Sequence, residues 1–379
     1  MTKDQRGGPR PFDDSSAAFL AWMADHPPVI EPEFAVRAKK IAQDPFTFLR
    51  GTFYRWAELF GWYCPELAGA PRILAVGDLH ADNFGTWPTD RGLAWGVNDF
   101  DEAAPLPYTV DLVRLVTSVL VDDVGLPAGH CAQAVLAGYR PVIRDPRPEP
   151  VLLHSDAAKR LREDVERARR PDRHFVERWQ EQPVGRGSPE WVDEAVRILR
   201  APPPSSAADG RLYHREAGCG SLGRVRILGY PLEPGRPLAR EIKRLLPSSW
   251  EWAAAGGPAR ADHPAEGNPH HRTLVNAARG LVDPSLAVDE TARWVSRELS
   301  PKRVRVSLAD RATGSGERSH HADALLPLMG RAVANVHVAT GGAARVDAHL
   351  PRHHRWLADA AERMADAVRA EHAAVAADG

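Results

Sequence analysis

The sequence predicts an α+β fold in which strands and helices occupy separate stretches of the chain. Two short apolar runs, residues 73–76 and 93–97, each end in a polar loop, as buried strands do. Apolar positions at helical spacing dominate both ends of the chain, and a second group of strand patterns follows a proline- and serine-rich linker at residues 201–210. The length suits two domains or one bilobed unit.

The N-terminal part begins with helical patterns. Capping residues precede apolar positions at helical spacing in residues 14–24, and residues 34–42 continue in the same manner. Residues 44–51, DPFTFLRG, lead into an aromatic-rich amphipathic helix that continues through Trp62. The residues around Arg50 in this segment are also compatible with an ordinary charged residue on the surface.

A predicted hairpin gathers acidic and amide side chains at one end of a small sheet. The glycine-, threonine- and proline-containing residues 85–92 between the two apolar runs indicate a turn. Such a hairpin would bring together Asp78, Asn83, Asp99 and Asp101. These hard oxygen ligands suit Mg²⁺, which takes one or two carboxylates together with waters and substrate phosphates. Taken singly, acidic and amide residues at strand ends are also ordinary turn formers.

The spacing of these residues resembles the catalytic loop and metal-binding aspartate of protein kinases. Asn83 follows Asp78 by five positions, and the next strand ends in Asp-Phe at Asp99. The motif GDLHADN, residues 77–83, is especially similar to the loop of aminoglycoside and choline phosphotransferases. The resemblance implies that Asp78 accepts the proton of a substrate hydroxyl, that Asn83 and Asp99 hold Mg²⁺, and that Asp101 belongs to the metal site.

The helical pattern after the hairpin begins at Thr109 and contains Asp111. In phosphotransferases a comparable Asp-Leu braces the catalytic loop, so the resemblance implies that Asp111 supports the backbone near Asp78. An Asp in the first helical turn also favours the helix dipole, and both roles can hold together.

A glycine-rich motif lies in the second group of strand patterns. Gly218, Gly220 and Gly223 form G-x-G-x-x-G, which by itself also marks dinucleotide-binding folds. A dinucleotide fold needs a helix at the last glycine, whereas the residues after Gly223 alternate like a strand. The kinase loop that covers the ATP phosphates has this arrangement, a glycine-rich turn between two strands. We therefore expect ATP contacts from Gly218, Gly220, Ser221 and Gly223.

Lys243 follows in a third predicted strand, residues 238–243. Lysine occurs at only six positions in the chain, and most basic positions are arginine, so a lysine here is a specific choice. In kinases the lysine of the third strand reaches the α- and β-phosphates of ATP. The alternative is an exposed edge-strand lysine that discourages aggregation.

The order of the motifs is unusual, because the catalytic loop and metal aspartate precede the glycine loop. The chain therefore resembles a circularly permuted, bilobal protein kinase-like fold, with a small antiparallel β lobe and a mainly helical large lobe. PFTFLRG, GDLHADNFG, NDFDEA, VDLVRL and GCGSLG, in this order and followed by a lysine, are similar to the bacterial family called domain of unknown function 2252. Because FLRG recurs in that family, the resemblance favours a site-supporting role for Arg50.

This resemblance divides the chain into three parts. Residues 1–205 carry the helices, catalytic loop and metal-site hairpin, residues 206–306 form the β lobe, and residues 307–379 complete the large lobe. We expect five strands in the β lobe, with the helix that starts at His270 packed on them. The helix of residues 325–340 should end near the first strand of the acidic hairpin, as in an unpermuted kinase.

Two departures from the kinase pattern stand out. Val76 replaces the histidine of the H-R-D triplet, and the helical pattern from His270 lacks the glutamate that pairs with the kinase lysine. Glu251, Glu266 or no residue would then fill that role. We expect His337 to be a packed core residue.

The leading functional hypothesis is ATP- and Mg²⁺-dependent phosphorylation of a hydroxyl on a small molecule. There are two alternatives: the protein transfers AMP from the same nucleotide site, or it is a non-catalytic regulator that binds a nucleotide. The formal net charge of −1 gives no sign of a nucleic-acid partner. The polar N-terminus has no signal-peptide core and no apolar run is long enough to cross a bilayer, so we expect a cytoplasmic protein without membrane contacts.

Overall fold

Small antiparallel sheets and a larger number of helices make up the structure, as the α+β prediction requires. The computed structural model describes residues 8–168, 190–199, 212–216, 218–229, 238–257, 266–308 and 315–378. The predicted linker, residues 201–210, lies outside these ranges. No helix within them is long and apolar enough to cross a membrane.

Four N-terminal helices precede the acidic segment and bury aromatic and aliphatic side chains in the core. Asp44 begins one of them, because its carboxylate accepts a hydrogen bond from Thr47 N at 2.8 Å and Pro45 follows at the first helical position. The bounds are α1 Phe12–Ala24, α2 Pro32–Ile41, α3 Pro45–Gly51 and α4 Phe53–Tyr63.

The acidic segment folds differently from the predicted hairpin. Its strands are β1 Arg72–Ala75, β2 Phe84–Thr89, β3 Gly92–Val97 and β4 Ala104–Pro107. β2 pairs with β3, and β1 pairs with β4, so the prediction of a turn over residues 85–92 is wrong. Pro88 is tolerated because β2 is the edge strand of a three-stranded sheet with β3 at its centre, and the turn itself is confined to the residues around Asp90 and Arg91. The acidic residues still converge, since Asn98 N donates to Asn83 O at 2.9 Å.

Three helices and a short strand connect this segment to the second half of the chain. Their bounds are α5 Thr109–Val121, α6 Ala128–Arg144, β5 Val151–Leu152 and α7 Lys159–Ala168. α5 is buried and contacts the loop after β1 through Asp111 and Arg114.

A five-stranded antiparallel sheet with the order β6-β7-β8-β10-β9 forms the second structural unit. Its strands are β6 Leu212–His214, β7 Arg226–Gly229, β8 Ala239–Arg244, β9 Ala287–Val288 and β10 Trp294–Leu299. The helix α8, Glu190–Leu199, buries Val192 and Ala195 against Ile242 and Trp294 of this sheet. The sequence prediction grouped α8 with residues 1–205, but its apolar side packs on the β unit.

Two short helices join the sheet to the acidic segment. They are α9 Ser249–Ala254 and α10 Pro269–Ala277. α10 packs against β1 and β4, whereas the sequence predicted that it would pack on the five-stranded sheet. After β10 the chain turns at Ser300 and Pro301, and Arg305 forms a single antiparallel bridge with Gly85.

The C-terminal helices complete the core around α5 and α6. They are α11 Ser315–Ala339, α12 Ala343–His349 and α13 Arg355–Asp378. α11 crosses α6 at close range, since a Cβ added at Gly138 or at Gly330 would overlap the backbone of the other helix. The end of α11 lies beside β1, because a Cβ at Gly342 would be 2.8 Å from Ile73 Cγ2.

Candidate functional site

A cleft of about 1310 Å³ separates the acidic segment from the five-stranded sheet. Most of the predicted site residues line this cleft, namely Arg50, Asp78, Asn83, Asp99, Asp101, Gly218, Gly220 and Ser221. Lys243 lies behind it and lines a smaller adjoining cavity with Asp99 and Asp101. Two regions far apart in sequence therefore meet at one site.

Asp78 is held by a buried arginine that was not among the residues predicted from the sequence. Arg114 on α5 donates from Nε to Asp78 Oδ1 at 2.7 Å, also contacts it through Nη2, and is fully buried. Its guanidinium lies over the rings of Phe53 and Trp56. Burial raises the pKa of the Asp78 carboxyl to about 6, although Arg114 opposes the shift. A carboxylate with this pKa can take up a proton near neutral pH.

Hydrogen bonds to the backbone fix the loop that carries Asp78. Asn83 Nδ2 donates to Asp78 O at 2.7 Å and closes the loop. The carboxylate of Asp111 accepts from Val76 N at 2.9 Å and from Gly77 N at 2.8 Å, so it braces the backbone just before Asp78. His337 lies in the core and its Nε2 is 2.9 Å from the same carboxylate.

A third buried residue extends this brace. Tyr139 OH is 2.7 Å from His337 Nδ1, and all three side chains are inaccessible to solvent. The brace therefore joins α5, α6 and α11 to the catalytic loop. The sequence reading identified Asp111 but not its partners, because they lie on helices more than 20 residues away in the chain.

Lys243 joins the sheet to the acidic segment. Its Nζ contacts Asp101 Oδ2 and lies 3.5 Å from Asp99 Oδ1. Burial would raise the pKa of Asp99, but Lys243 and Arg297 outweigh it and hold the pKa well below its usual value. Burial and the neighbouring Asp99 carboxylate raise the pKa of Asp101. Asp99 is thus the ionised member of the pair, and its side chain is 41 % exposed to the cleft.

The glutamates considered as partners of Lys243 lie elsewhere. Glu251 pairs with His270 at 3.2 Å and Glu266 pairs with Arg293 at 2.8 Å. Within the described residues, the ion pairs of Lys243 are with the two aspartates of the NDFDE segment.

Arginines surround a buried glutamate on the cleft face of the sheet. Glu241 lies two residues before Lys243 on β8, so both side chains point to the same face. Its carboxylate accepts hydrogen bonds from Arg226 Nη1 at 3.0 Å and Arg297 Nε at 3.1 Å, and it also contacts Arg215. Burial would raise the pKa of Glu241, but the three arginines hold it far below the usual value. One carboxylate for three guanidiniums leaves this face positively charged.

The glycine loop lies against both α3 and the catalytic loop. A Cβ at Gly220 would be 2.7 Å from Arg50 O and 3.8 Å from Asp78 Oδ2, so only glycine allows this approach. Arg226 Nη2 donates to Ser221 Oγ at 2.8 Å and ties the loop to the sheet. Gly223, with φ +90°, packs against Phe34 and does not line the cleft, so its position is structural.

Glu102 connects the acidic segment to the sheet unit on the closed side of the cleft. Its carboxylate accepts from Arg224 Nη2 at 2.8 Å and from Ser249 N at 2.6 Å, which places a negative charge at the start of α9. Ser248 Oγ donates to Glu102 O at 3.0 Å. The two units are therefore joined by buried hydrogen bonds as well as by the chain.

The donor set near Asp99 fits a divalent cation that also binds phosphate. Within the described ranges, no group of three or more His, Cys, Asp and Glu side chains is arranged as a protein-only metal cage. Mg²⁺ does not require one, because it usually takes one or two carboxylates and completes its shell with water and phosphate oxygens. The Asp99 carboxylate, whose side chain is 41 % exposed to the cleft, and the cleft-lining Asn83 amide have the oxygen donors that such a shell would use.

Part of the chain matches the model of a bacterial protein family. No curated protein and no solved structure matches the chain. Residues 30–205 match the model of a family described as "Uncharacterized protein conserved in bacteria (DUF2252)". This range includes the FLRG, GDLHADNFG, NDFDEA and VDLVRL motifs and ends before the glycine loop and Lys243. Over residues 30–205, the chain is thus similar to the bacterial DUF2252 family.

Proposed function

We propose that the protein is an ATP- and Mg²⁺-dependent phosphotransferase that phosphorylates a hydroxyl group of a small molecule. The observation that carries the proposal is that Asp78 and Asp99 line one cleft while Lys243, directly behind it, lies 3.5 Å from Asp99 Oδ1, although the lysine follows both aspartates by more than 140 residues. A chance arrangement of turn-forming aspartates would not require a buried lysine opposite them.

In the proposed reaction, the acceptor hydroxyl oxygen forms a bond to the γ-phosphorus while the bond from that phosphorus to the bridging oxygen of ADP breaks. Asp78 Oδ2 receives the hydroxyl proton, because Arg114 holds the other oxygen, Oδ1. Lys243 and the arginines around Glu241 bind the phosphate oxygens of ATP. Mg²⁺, when held by Asn83 and Asp99, would neutralise charge on the β- and γ-phosphates.

A circularly permuted kinase-like arrangement accounts for the order of these parts. The five-stranded antiparallel sheet carrying Lys243 supports it, and so does the end of α11 beside β1. In an unpermuted kinase, the helix corresponding to α11 leads directly into the strand corresponding to β1. The short helical turn Cys219–Ser221 between antiparallel strands argues against a dinucleotide-binding fold, where the glycine motif opens a long helix in a parallel sheet.

Labelled nucleotides test the proposal. The protein is incubated with Mg²⁺, a panel of hydroxyl-bearing small molecules and ATP labelled at either the γ- or the α-phosphate. We expect transfer of the γ-label only, and loss of this transfer in Asp78→Asn and Asp99→Asn. Transfer of the α-label would replace the proposal with AMP transfer. Saturable ATP binding without turnover would indicate a regulator instead.

The nucleotide half of the site has its own test. Calorimetric titration with ATP and Mg²⁺ should show weaker binding to Lys243→Ala than to the parent protein. The exposed Lys302→Ala is the matched control, because it removes the same charge outside the phosphate-binding face. Equal affinities of Lys243→Ala and the parent protein would contradict the assignment of this face to the nucleotide.

A further inference from the structure

Two arginines share one buried carboxylate in the catalytic loop. Arg50 Nη1 lies 3.0 Å from Asp82 Oδ2, and Arg305 Nη1 lies 3.7 Å from the same oxygen. Arg50 comes from α3, and Arg305 comes from the segment that bridges to Gly85. Asp82 is 5 % exposed, and its other oxygen, Oδ1, has no hydrogen-bond partner within the described residues. The buried Arg50 Nε is also without one there.

The charges of this group do not cancel. Two guanidiniums and one carboxylate leave one positive charge, and the Arg305 side chain is half exposed to the cleft. His80 lies between Asp78 and Asp82 and adds no positive charge near neutral pH, because burial and Arg50 hold its pKa well below the usual value. The carboxylates of Asp44 and Asp122 lie behind this group and do not line the cleft, and burial raises the pKa of Asp122 to about 7.

A second pair of arginines lines the same cleft. On α7, Arg160 Nε and Arg167 Nη2 lie 3.6 Å and 3.1 Å from one oxygen of the buried Asp164, and Arg160 Nη1 also lies 3.7 Å from Glu163 Oε2. Both arginines and Asp164 line the cleft, whereas Glu163 does not. An amine-rich acceptor would need available carboxylates here, but each of these aspartates already binds two arginines. At Asp82, where two guanidiniums share one carboxylate, a ligand with an oxyanion matches the excess positive charge.

The Arg50–Asp82–Arg305 group is close to the proposed general base. Asp82 lies four residues after Asp78 in a loop closed by the Asn83 bond, and Gly220 faces both Arg50 O and Asp78 Oδ2. We infer that Arg50 and Arg305 bind an oxyanion group, a phosphate ester or a carboxylate, of the acceptor whose hydroxyl reaches Asp78. This rests on the proposed phosphotransferase function and names the chemical class of its acceptor.

Direct anion binding tests the inference without any need for turnover. Inorganic phosphate and, separately, acetate are titrated into the protein in a calorimeter. We expect binding of at least one anion, weakened about tenfold in Arg305→Ala through loss of a charge-assisted hydrogen bond. Arg345→Ala, an exposed arginine outside the cleft, should leave it unchanged. Binding of phosphate alone would identify a phosphate ester, and binding of acetate would identify a carboxylate.

A third variant, Lys243→Ala, distinguishes anion binding at Arg305 from anion binding at the proposed nucleotide site. The Arg305-dependent binding should persist in Lys243→Ala. The inference would be overturned if neither anion binds, or if Lys243→Ala abolishes binding while Arg305→Ala retains it. Intact Arg305-dependent anion binding without any γ-phosphate transfer would count against the proposed function alone, so the two failures are distinguishable.

Discussion

The two walls of the cleft differ in charge and in how the chain builds them. The acidic wall, with Asp78, Asp99 and Asp101, comes from one continuous stretch between β1 and β4. The basic wall brings Lys243 together with arginines from neighbouring strands of the sheet. The difference separates two tasks, since carboxylates can accept protons and bind a cation, whereas guanidinium and ammonium groups bind phosphate oxygens. Variants of the two walls should therefore fail in different ways.

The largest expected effect is on the acidic wall. Asp78→Asn should lower the turnover rate by about 10²- to 10⁴-fold, the usual contribution of a general base, while ATP affinity stays close to that of the parent protein. Steady-state kinetics and calorimetry measure the two quantities. Asp90→Asn, at the exposed hairpin turn, is the control and should change neither. A parent-like rate for Asp78→Asn would remove the catalytic difference between the walls.

On the basic wall, the expected effect is on stability as well as binding. Glu241→Gln should lower the free energy of unfolding by about 3 to 5 kcal/mol, because it leaves the buried Arg226 and the partly buried Arg215 and Arg297 without their carboxylate. Denaturant titration measures this change. Glu298→Gln removes a partly exposed carboxylate 3.4 Å from Arg303 and should cost less than about 1 kcal/mol. Equal losses in both variants would show that the arginine cluster is not organised by Glu241.

The pH dependence of activity sharpens the assignment of Asp78. Because its pKa is raised to about 6 and the base must be ionised, kcat/KM should rise about tenfold per pH unit below that value and level off above it. Stability has the opposite trend: the folded protein holds this proton more tightly than the unfolded chain, so the contribution of Asp78 to stability declines as pH rises from about 4 to 6.

Asp101 also has a raised pKa, so it needs a separate variant. The acidic limb of the rate profile should persist in Asp101→Asn if it belongs to Asp78. If the acidic limb disappears in Asp101→Asn, it belongs to the Asp101 carboxyl that pairs with Lys243.

The smallest expected effect concerns the loop between the walls. Gly220→Val would place a side chain 2.7 Å from Arg50 O, so the loop must move away from Asp78, and we expect ATP affinity to fall about fivefold. Calorimetry measures the loss of ATP affinity, and a thermal unfolding scan shows whether the variant is still folded. Gly69→Val, which has open space around its Cβ position, is the control.

The sequence predicted the acidic wall more completely than the basic wall for a physical reason. The acidic residues follow strands that are near one another in the chain, so their convergence can be inferred locally. The meeting of Arg226, Glu241 and Arg297 depends on strand register, which a strand pattern alone does not supply. A usable signal was the alternation of charged residues on β8, where Glu241 and Lys243 must share a face.

Local composition also misled the prediction in two places. Gly85, Thr86 and Pro88 suggested a turn, but edge-strand pairing with β3 and burial of Trp87 made this segment a strand. The helix α8 has the amphipathic pattern of a packing helix, and its pattern could not tell which of the two units it would pack against. Both errors concern long-range packing, which overrides local preference.

The brace of Asp111 has a consequence for how the protein is made. The loop that carries Asp78 is synthesised early, but His337, which holds the Asp111 carboxylate, follows Asp111 by 226 residues. Because domains form from the N-terminus during synthesis, a nascent chain that has already formed the catalytic loop still lacks part of its support. The brace is therefore complete only when α11 has left the ribosome and packed. An incomplete chain that ends before this helix would carry every proposed catalytic residue, together with the Arg114 and Asn83 contacts of Asp78, but would lack the His337 contact to Asp111.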